Sequence, residues 1–222
     1  MTVLENFNAV RAAVKKAAQY SKRNPEDITL VAVSKMHEQE EILELIKAGQ
    51  RVFAENRVQE ALRKFPPLKE NYPDLKLHLI GSLQTNKVKD AVRLFDVIET
   101  VDRPELAKKL AEEMNKQNKN LPCFVQVNTG EEPQKGGCVP RETISLVNHC
   151  RNLGLNIIGL MCIPPVDDEP SPHFALLKKL AGQAGLKELS MGMSADYPLA
   201  VQQGATFIRI GTALFGARDY SK

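Results

Sequence analysis

Apolar positions along the chain switch between two periods. Near the start, Leu4, Phe7, Val10, Val14 and Ala17 recur at spacings of three and four, the stripe of an amphipathic helix. Asn24-Pro25 ends that stripe, because proline disfavours helical geometry in the residue before it. Short apolar runs, mostly rich in Val, Ile and Leu, then alternate with longer stretches of helical period. The runs are ITLVAVS (28–34), RVFAEN (51–56), KLHLIGS (76–82), DVIETVD (96–102), PCFVQVNTG (122–130), LNIIGLMCI (155–163), ELSMGMS (188–194) and TFIRIGTALFG (206–216). Between them, 38–48, 58–71, 104–117 and 141–153 show helical period with charged faces.

Strands apolar along their whole length, each followed by an amphipathic helix, predict a parallel sheet covered by helices. Eight runs match a closed (β/α)8 TIM barrel, an α/β fold, with the first helix as an extra N-terminal element. An open doubly wound sheet is the rival, but no Gly-rich GxGxxG turn follows the first strand. No linker rich in Pro, Gly or Ser divides the 222 residues, so a single domain over 1–222 is expected.

Composition narrows the function classes. The net charge of +3 comes from 30 basic and 27 acidic residues, and aromatics are 5%, so nothing points to nucleic acid. Cys123, Cys138, Cys150 and Cys162 lie far apart with no CxxC pair, which reads as reduced thiols and neither a metal site nor a disulfide frame. The N-terminus lacks the order of charge and apolar core of a secretory signal, and no apolar run approaches the roughly 20 residues that span a bilayer. A cytoplasmic protein without membrane contact is expected.

In such a barrel the chemistry sits where strands end, at the C-terminal face. Lys35 ends the first run, VAVSK. Alternation turns Val31 and Val33 into the barrel and Leu30 and Ala32 toward the helices. A lysine at the mouth would be desolvated toward the neutral amine that attacks an aldehyde, although a lysine already in solvent fits the same position. Near the C-terminus, a strand ending at Ser194, a helix over 196–203 and a strand entering Gly211-Thr212 match the phosphate site that barrels often build after their last two strands. Ser194 stands where a helix N-cap belongs, Gly211 permits close backbone approach and Thr212 adds a hydroxyl. Arg209 lies inside the last strand and needs a partner, which an acid, a phosphate or a pyridine nitrogen could supply. Asn56, His78 and Asn128 are further polar groups that alternation could turn inward.

The run VAVSK, the segments FAENRVQEA and HLIGSLQTNK, and the tail MGMSADYPLAVQQGATFIRIGTALFGAR together resemble the pyridoxal phosphate homeostasis proteins, small relatives of the alanine racemase barrel. The match runs from about 28 to 218. The resemblance implies a fold-type III barrel with pyridoxal 5′-phosphate on Lys35 as a Schiff base (a covalent aldimine). It implies phosphate around Ser194 and Gly211-Thr212, Arg209 near the pyridine nitrogen and Asn56 close to the ring. Two departures stand out. Lys135-Gly136-Gly137 replaces an expected Lys-Ser-Gly, and Cys162 occupies a place where a small or hydroxylated residue is usual, altering the barrel mouth.

Alanine racemases carry a C-terminal β-domain that supplies a second catalytic base, and the residues after the eighth run are too few to form one. An arginine on the pyridine nitrogen would also keep it unprotonated and weaken the ring as an electron sink. The expectation is therefore a protein without turnover, a monomer that stores, buffers or delivers the cofactor to apoenzymes, with indirect effects on amino-acid and keto-acid balance. An amino-acid racemase, a Schiff-base aldolase and a signalling partner are the alternatives.

Overall fold

A computed structural model describes residues 2–216. The first helix, α1 (Val3–Tyr20), opens with a capping box in which the Thr2 hydroxyl accepts from Glu5 N and the Glu5 carboxylate accepts from Thr2 N. Phe7, Val10, Val14 and Ala17 are buried as the stripe predicts, whereas Leu4 is left exposed at the helix start. The chain then alternates β1 (Thr29–Val33), α2 (Gln39–Lys47), β2 (Val52–Glu55), α3 (Val58–Asn71), β3 (Lys76–Leu79), α4 (Val88–Leu94), β4 (Val97–Val101) and α5 (Pro104–Lys116). It continues through β5 (Pro122–Val127), α6 (Thr143–Asn152), β6 (Asn156–Cys162), α7 (Pro170–Gln183), β7 (Glu188–Ser190), α8 (Tyr197–Gln203), β8 (Phe207–Ile210) and α9 (Thr212–Phe215).

All eight strands are parallel, and β1 pairs with both β2 and β8, closing the barrel. The alternation read from VAVSK holds. Ala32 and Leu30 join the large core between strands and helices, while Val31 and Val33 meet Ala54, Val52, Ile80 and Phe207 inside the barrel. Phe124 stands edge-on to Phe207 at 5.4 Å, filling the interior below the mouth. α1 packs outside, against α8 and α9, and Asn6 Nδ2 donates to Leu214 O at 2.9 Å.

The structure departs from the sequence pattern at two places. The last apolar run is strand only to Ile210. From Thr212 it turns helical, because the amides of Leu214 and Phe215 fold back onto Gly211 O. Cys162 belongs to the core between strands and helices, so its side chain leaves the mouth unaltered. Burial pushes the thiol of Cys138 up to about 11 and those of Cys150 and Cys162 up to about 12, so they stay protonated and unreactive.

Candidate cofactor site

Lys35 lies just past β1, partly exposed, at the second position of a turn that His37 N closes onto Ser34 O at 3.1 Å. Met36, the third residue, has φ +64°, the left-handed value that a type II turn requires and that favours glycine. Neighbouring strands bring the other candidates alongside. Ser34 N donates to Ala54 O at 3.0 Å, which sets the Lys35 turn beside Asn56 at the end of β2. On the other flank Ala32 pairs with Ile210, and a Cβ on Gly211 would stand 3.4 Å from Val33 O. The His37 ring stacks on Phe215 of α9 with centroids 4.2 Å apart.

Ser194 reaches the same end by a different route from the one its sequence position suggests. Asp196 is the N-cap of α8, and its carboxylate accepts from Met193 N at 2.6 Å. Ser194 Oγ instead accepts from Ala213 N at 3.1 Å, in the first turn of α9, which leaves the hydroxyl proton to donate elsewhere. Lys35, Asn56, Ser194, Gly211 and Thr212 are thus gathered at one end of the barrel.

Arg209 lies one layer deeper, about 3% exposed. Its Nη1 donates to Ser190 Oγ and its Nη2 to Cys162 O, each at 2.7 Å. Ser190 passes its own proton to Glu99 Oε2 at 2.5 Å, and His78 Nδ1 meets Glu99 Oε1 at 2.6 Å. Burial works to raise the Glu99 carboxyl, but the His78 hydrogen bond and charge, the Arg209 charge and the Ser190 hydroxyl outweigh it and hold it below the usual range. Two of the five guanidinium protons are engaged in these bonds, which leaves three outside them.

Asn56 Oδ1 is buried without a hydrogen-bond partner, and so is Gln126 Oε1. Both residues line a cavity of about 280 Å³ with Ser82, Lys135, Gly136 and Ile163. A Cβ at Gly81 would collide with the Asn56 carbonyl, so only glycine lets the chain just past β3 run that close. A Cβ on Gly136 would stand 3.0 Å from Ser82 Oγ, so here Ser82 fills the space beside Gly136. Asn128 serves its own loop, donating to Glu132 O at 2.8 Å and accepting from Glu132 N at 3.2 Å. A larger cavity of about 490 Å³ lies at the other end, lined by Phe7, Arg11 and Gln50, and contains none of the candidates.

Sequence reasoning missed Glu99 and Ser190, and it missed a second group beneath the Lys35 turn. Lys64 of α3 is about 1% exposed, and its Nζ lies 2.6 Å from Glu55 Oε1 and 2.9 Å from Glu60 Oε1. An acid embedded in an otherwise apolar strand, as in VFAEN and DVIETVD, was the available signal. Burial raises the Glu55 carboxyl above its usual range, and the Lys64 charge and the bonds from Lys64 and Ser34 only partly oppose it.

A family model described as "Alanine racemase, N-terminal domain" matches residues 6–219. A pyridoxal phosphate homeostasis protein of Pasteurella multocida is 38% identical over 233 residues, covering all of both chains. The PipY structure of Synechococcus elongatus, solved with PLP bound, is 39% identical with a TM-score of 0.79, over 92% of this chain and all of that one. An alanine racemase of Clostridium difficile shares the fold at a TM-score of 0.71 and 17% identity, over 95% of this chain and 57% of that one. The chain belongs to the alanine racemase N-terminal domain family and, within it, to the pyridoxal phosphate homeostasis proteins.

Proposed function

We propose that this protein binds pyridoxal 5′-phosphate at the barrel mouth, joined to Lys35 as a Schiff base, and serves as a carrier in cofactor homeostasis. The observation that carries this reading is the convergence of the Lys35 turn with Asn56 on one flank and Ser194, Gly211 and Thr212 on the other. The residues fit such a group. Asn56 Oδ1 is a buried acceptor lacking a partner, Ser194 retains a proton to donate, and Arg209 holds unused donors below. When bound, the cofactor supplies an aldehyde that condenses with an amine and a ring that withdraws electrons. Lys35 provides the amine. The hydroxyls of Ser194 and Thr212, with the backbone at Gly211, would hold the phosphate, Arg209 would serve the pyridine nitrogen, and Asn56 would serve the ring.

A carrier without turnover, working as a monomer in the cytoplasm and handing the cofactor to apoenzymes, is the form of this reading that we favour. Proton transfer on both faces of an α-carbon needs a second base within reach. His78, the one histidine on a barrel strand among the described residues, is about 3% exposed and committed to Glu99. Among the described residues no helix is long and apolar enough to cross a membrane.

Borohydride treatment of the loaded protein is expected to fix the cofactor's mass on the peptide carrying Lys35, and Lys35→Ala to abolish that product. Mass on another lysine, such as Lys87 or Lys135, overturns the assignment. Solvent deuterium incorporation at the α-carbon of an amino acid, at rates near the roughly 10 s⁻¹ median of enzymes, would make the protein a racemase-like enzyme.

A further inference from the structure

The turn that presents Lys35 is strained, and a buried ionic group holds it. A non-glycine residue in the left-handed region persists only when its surroundings over-determine it, and Met36, at φ +64°, is such a residue. Its amide donates to Glu60 Oε1 at 2.5 Å. The same oxygen receives Lys64 Nζ at 2.9 Å, and Lys64 Nζ also donates to Ser34 O at 2.7 Å and to His37 O at 3.2 Å. Those carbonyls stand immediately before Lys35 and two residues after it. Glu55 Oε1, at 2.6 Å from Lys64 Nζ and 2.7 Å from Ser34 Oγ, fixes the ammonium from the barrel side. Burying an ion pair is costly, and apolar residues in place of both partners would fill the same space more cheaply. What an apolar residue cannot do is grip two carbonyls and, through one carboxylate, the amide between them.

We propose that Lys64 and Glu60 are positioning residues for Lys35, holding the Ser34–His37 turn in the one shape that aims its amine at the incoming aldehyde. This role rests on the cofactor reading given above. Lys35 Nζ attacks the aldehyde carbon, the carbon–nitrogen double bond forms and water leaves. A turn free to relax would present the amine in the right place only part of the time, so the maximal rate of that step would fall while the hold on the phosphate stayed the same.

Glu60 is the residue to change, because Lys64→Met strips a buried carboxylate of its partner and endangers the fold. Covalent capture of pyridoxal phosphate by cofactor-free protein is timed by borohydride quenching over a range of cofactor concentrations. Glu60→Ala is expected to lower the maximal capture rate about tenfold, with the half-saturating concentration within about twofold of wild type and the melting midpoint within about 4 °C. Glu60→Gln is expected to restore most of the rate, since an amide oxygen still accepts from Met36 N and Lys64 Nζ. A second readout needs no cofactor: deuterium exchange at the 34–37 amides of the cofactor-free protein should quicken in Glu60→Ala and return toward wild type in Glu60→Gln. A maximal rate within twofold of wild type in Glu60→Ala overturns the proposal, as does an equal loss in Glu60→Gln. Capture on a lysine other than Lys35 in the wild type overturns the cofactor site itself, and this role with it.

Discussion

Glu99 and Glu55 are both fully buried on barrel strands and both have a basic residue within hydrogen-bond distance, yet they ionise in opposite directions. Glu99 faces into the barrel, where each of its oxygens has a donor, His78 on one and Ser190 on the other, with Arg209 behind Ser190. Glu55 points the other way, under the Lys35 turn. Its Oε1 takes both Lys64 and Ser34, while Oε2 is left with no partner. Burial works against both carboxylates. The number of lone pairs that find a proton decides which one stays charged comfortably. The interior group is therefore a settled support for Arg209, and the outer group is a strained clamp.

The largest expected effect sets the two lysine- and arginine-centred groups against each other. Lys64→Met strands a carboxylate that already lacks one partner, and the loss in urea unfolding free energy is expected at about 3–5 kcal/mol. Arg209→Met leaves Glu99 its bonds from His78 and Ser190, so the loss is expected nearer about 1.5–3 kcal/mol. Equal losses would show that pairing of the carboxylate, oxygen by oxygen, does not govern the difference.

The pH dependence of stability should separate the two carboxylates in sign. Glu99, held below its unfolded value, contributes stability that is present above the ordinary carboxylate range and is lost as pH falls through its lowered value. Glu55, held above its unfolded value, contributes most while protonated, below the ordinary range, and that contribution is lost as pH rises through its raised value. Unfolding free energies measured across pH should therefore fall less steeply toward acid, below about pH 4, in Glu99→Gln than in wild type. In Glu55→Gln the flattening should appear above about pH 4 instead. Flattening on the same side in both variants would contradict the opposed shifts.

The smallest effect concerns the clamp's load. Met36→Gly removes the left-handed strain and is expected to raise stability by less than about 1 kcal/mol, part of the gain being lost to the freer unfolded chain. In that background Lys64→Met should cost correspondingly less. Full additivity of the two changes would mean that the turn and the clamp are not coupled.

Much of this architecture was legible in the residues. The runs from 28 to 210 and the helices between them follow from period and length, because a strand buried on both faces has to be apolar throughout and a covering helix only on one stripe. The alternation through VAVSK placed Val31 and Val33 inside, since side chains in a strand must point to opposite faces. The rule that strand ends carry the chemistry was enough to collect Lys35, Asn56, Ser194, Gly211 and Thr212 at one end. Local rules failed where two polar residues competed for one role. Ser194 and Asp196 both suit a helix start, but α8 begins with Asp196 as its N-cap residue and no side-chain cap bond, and the serine hydroxyl accepts from Ala213 N of α9.

The sequence by itself thus determined the barrel, its order of elements and the end at which the candidate residues meet, because these depend on apolar period and on position relative to strand ends. The tertiary structure alone decided which polar groups pair. Arg209, Ser190, Glu99 and His78 come from four different strands, and only barrel closure brings them within 2.5–2.7 Å of one another. Lys64 sits in a helix whose charged face looks solvated in the sequence, and it is buried only because α3 lies against the end of β2 under the Lys35 turn. Hydrogen bonds act over about 3 Å, so their partners are set by register and packing, which no local pattern of residues specifies.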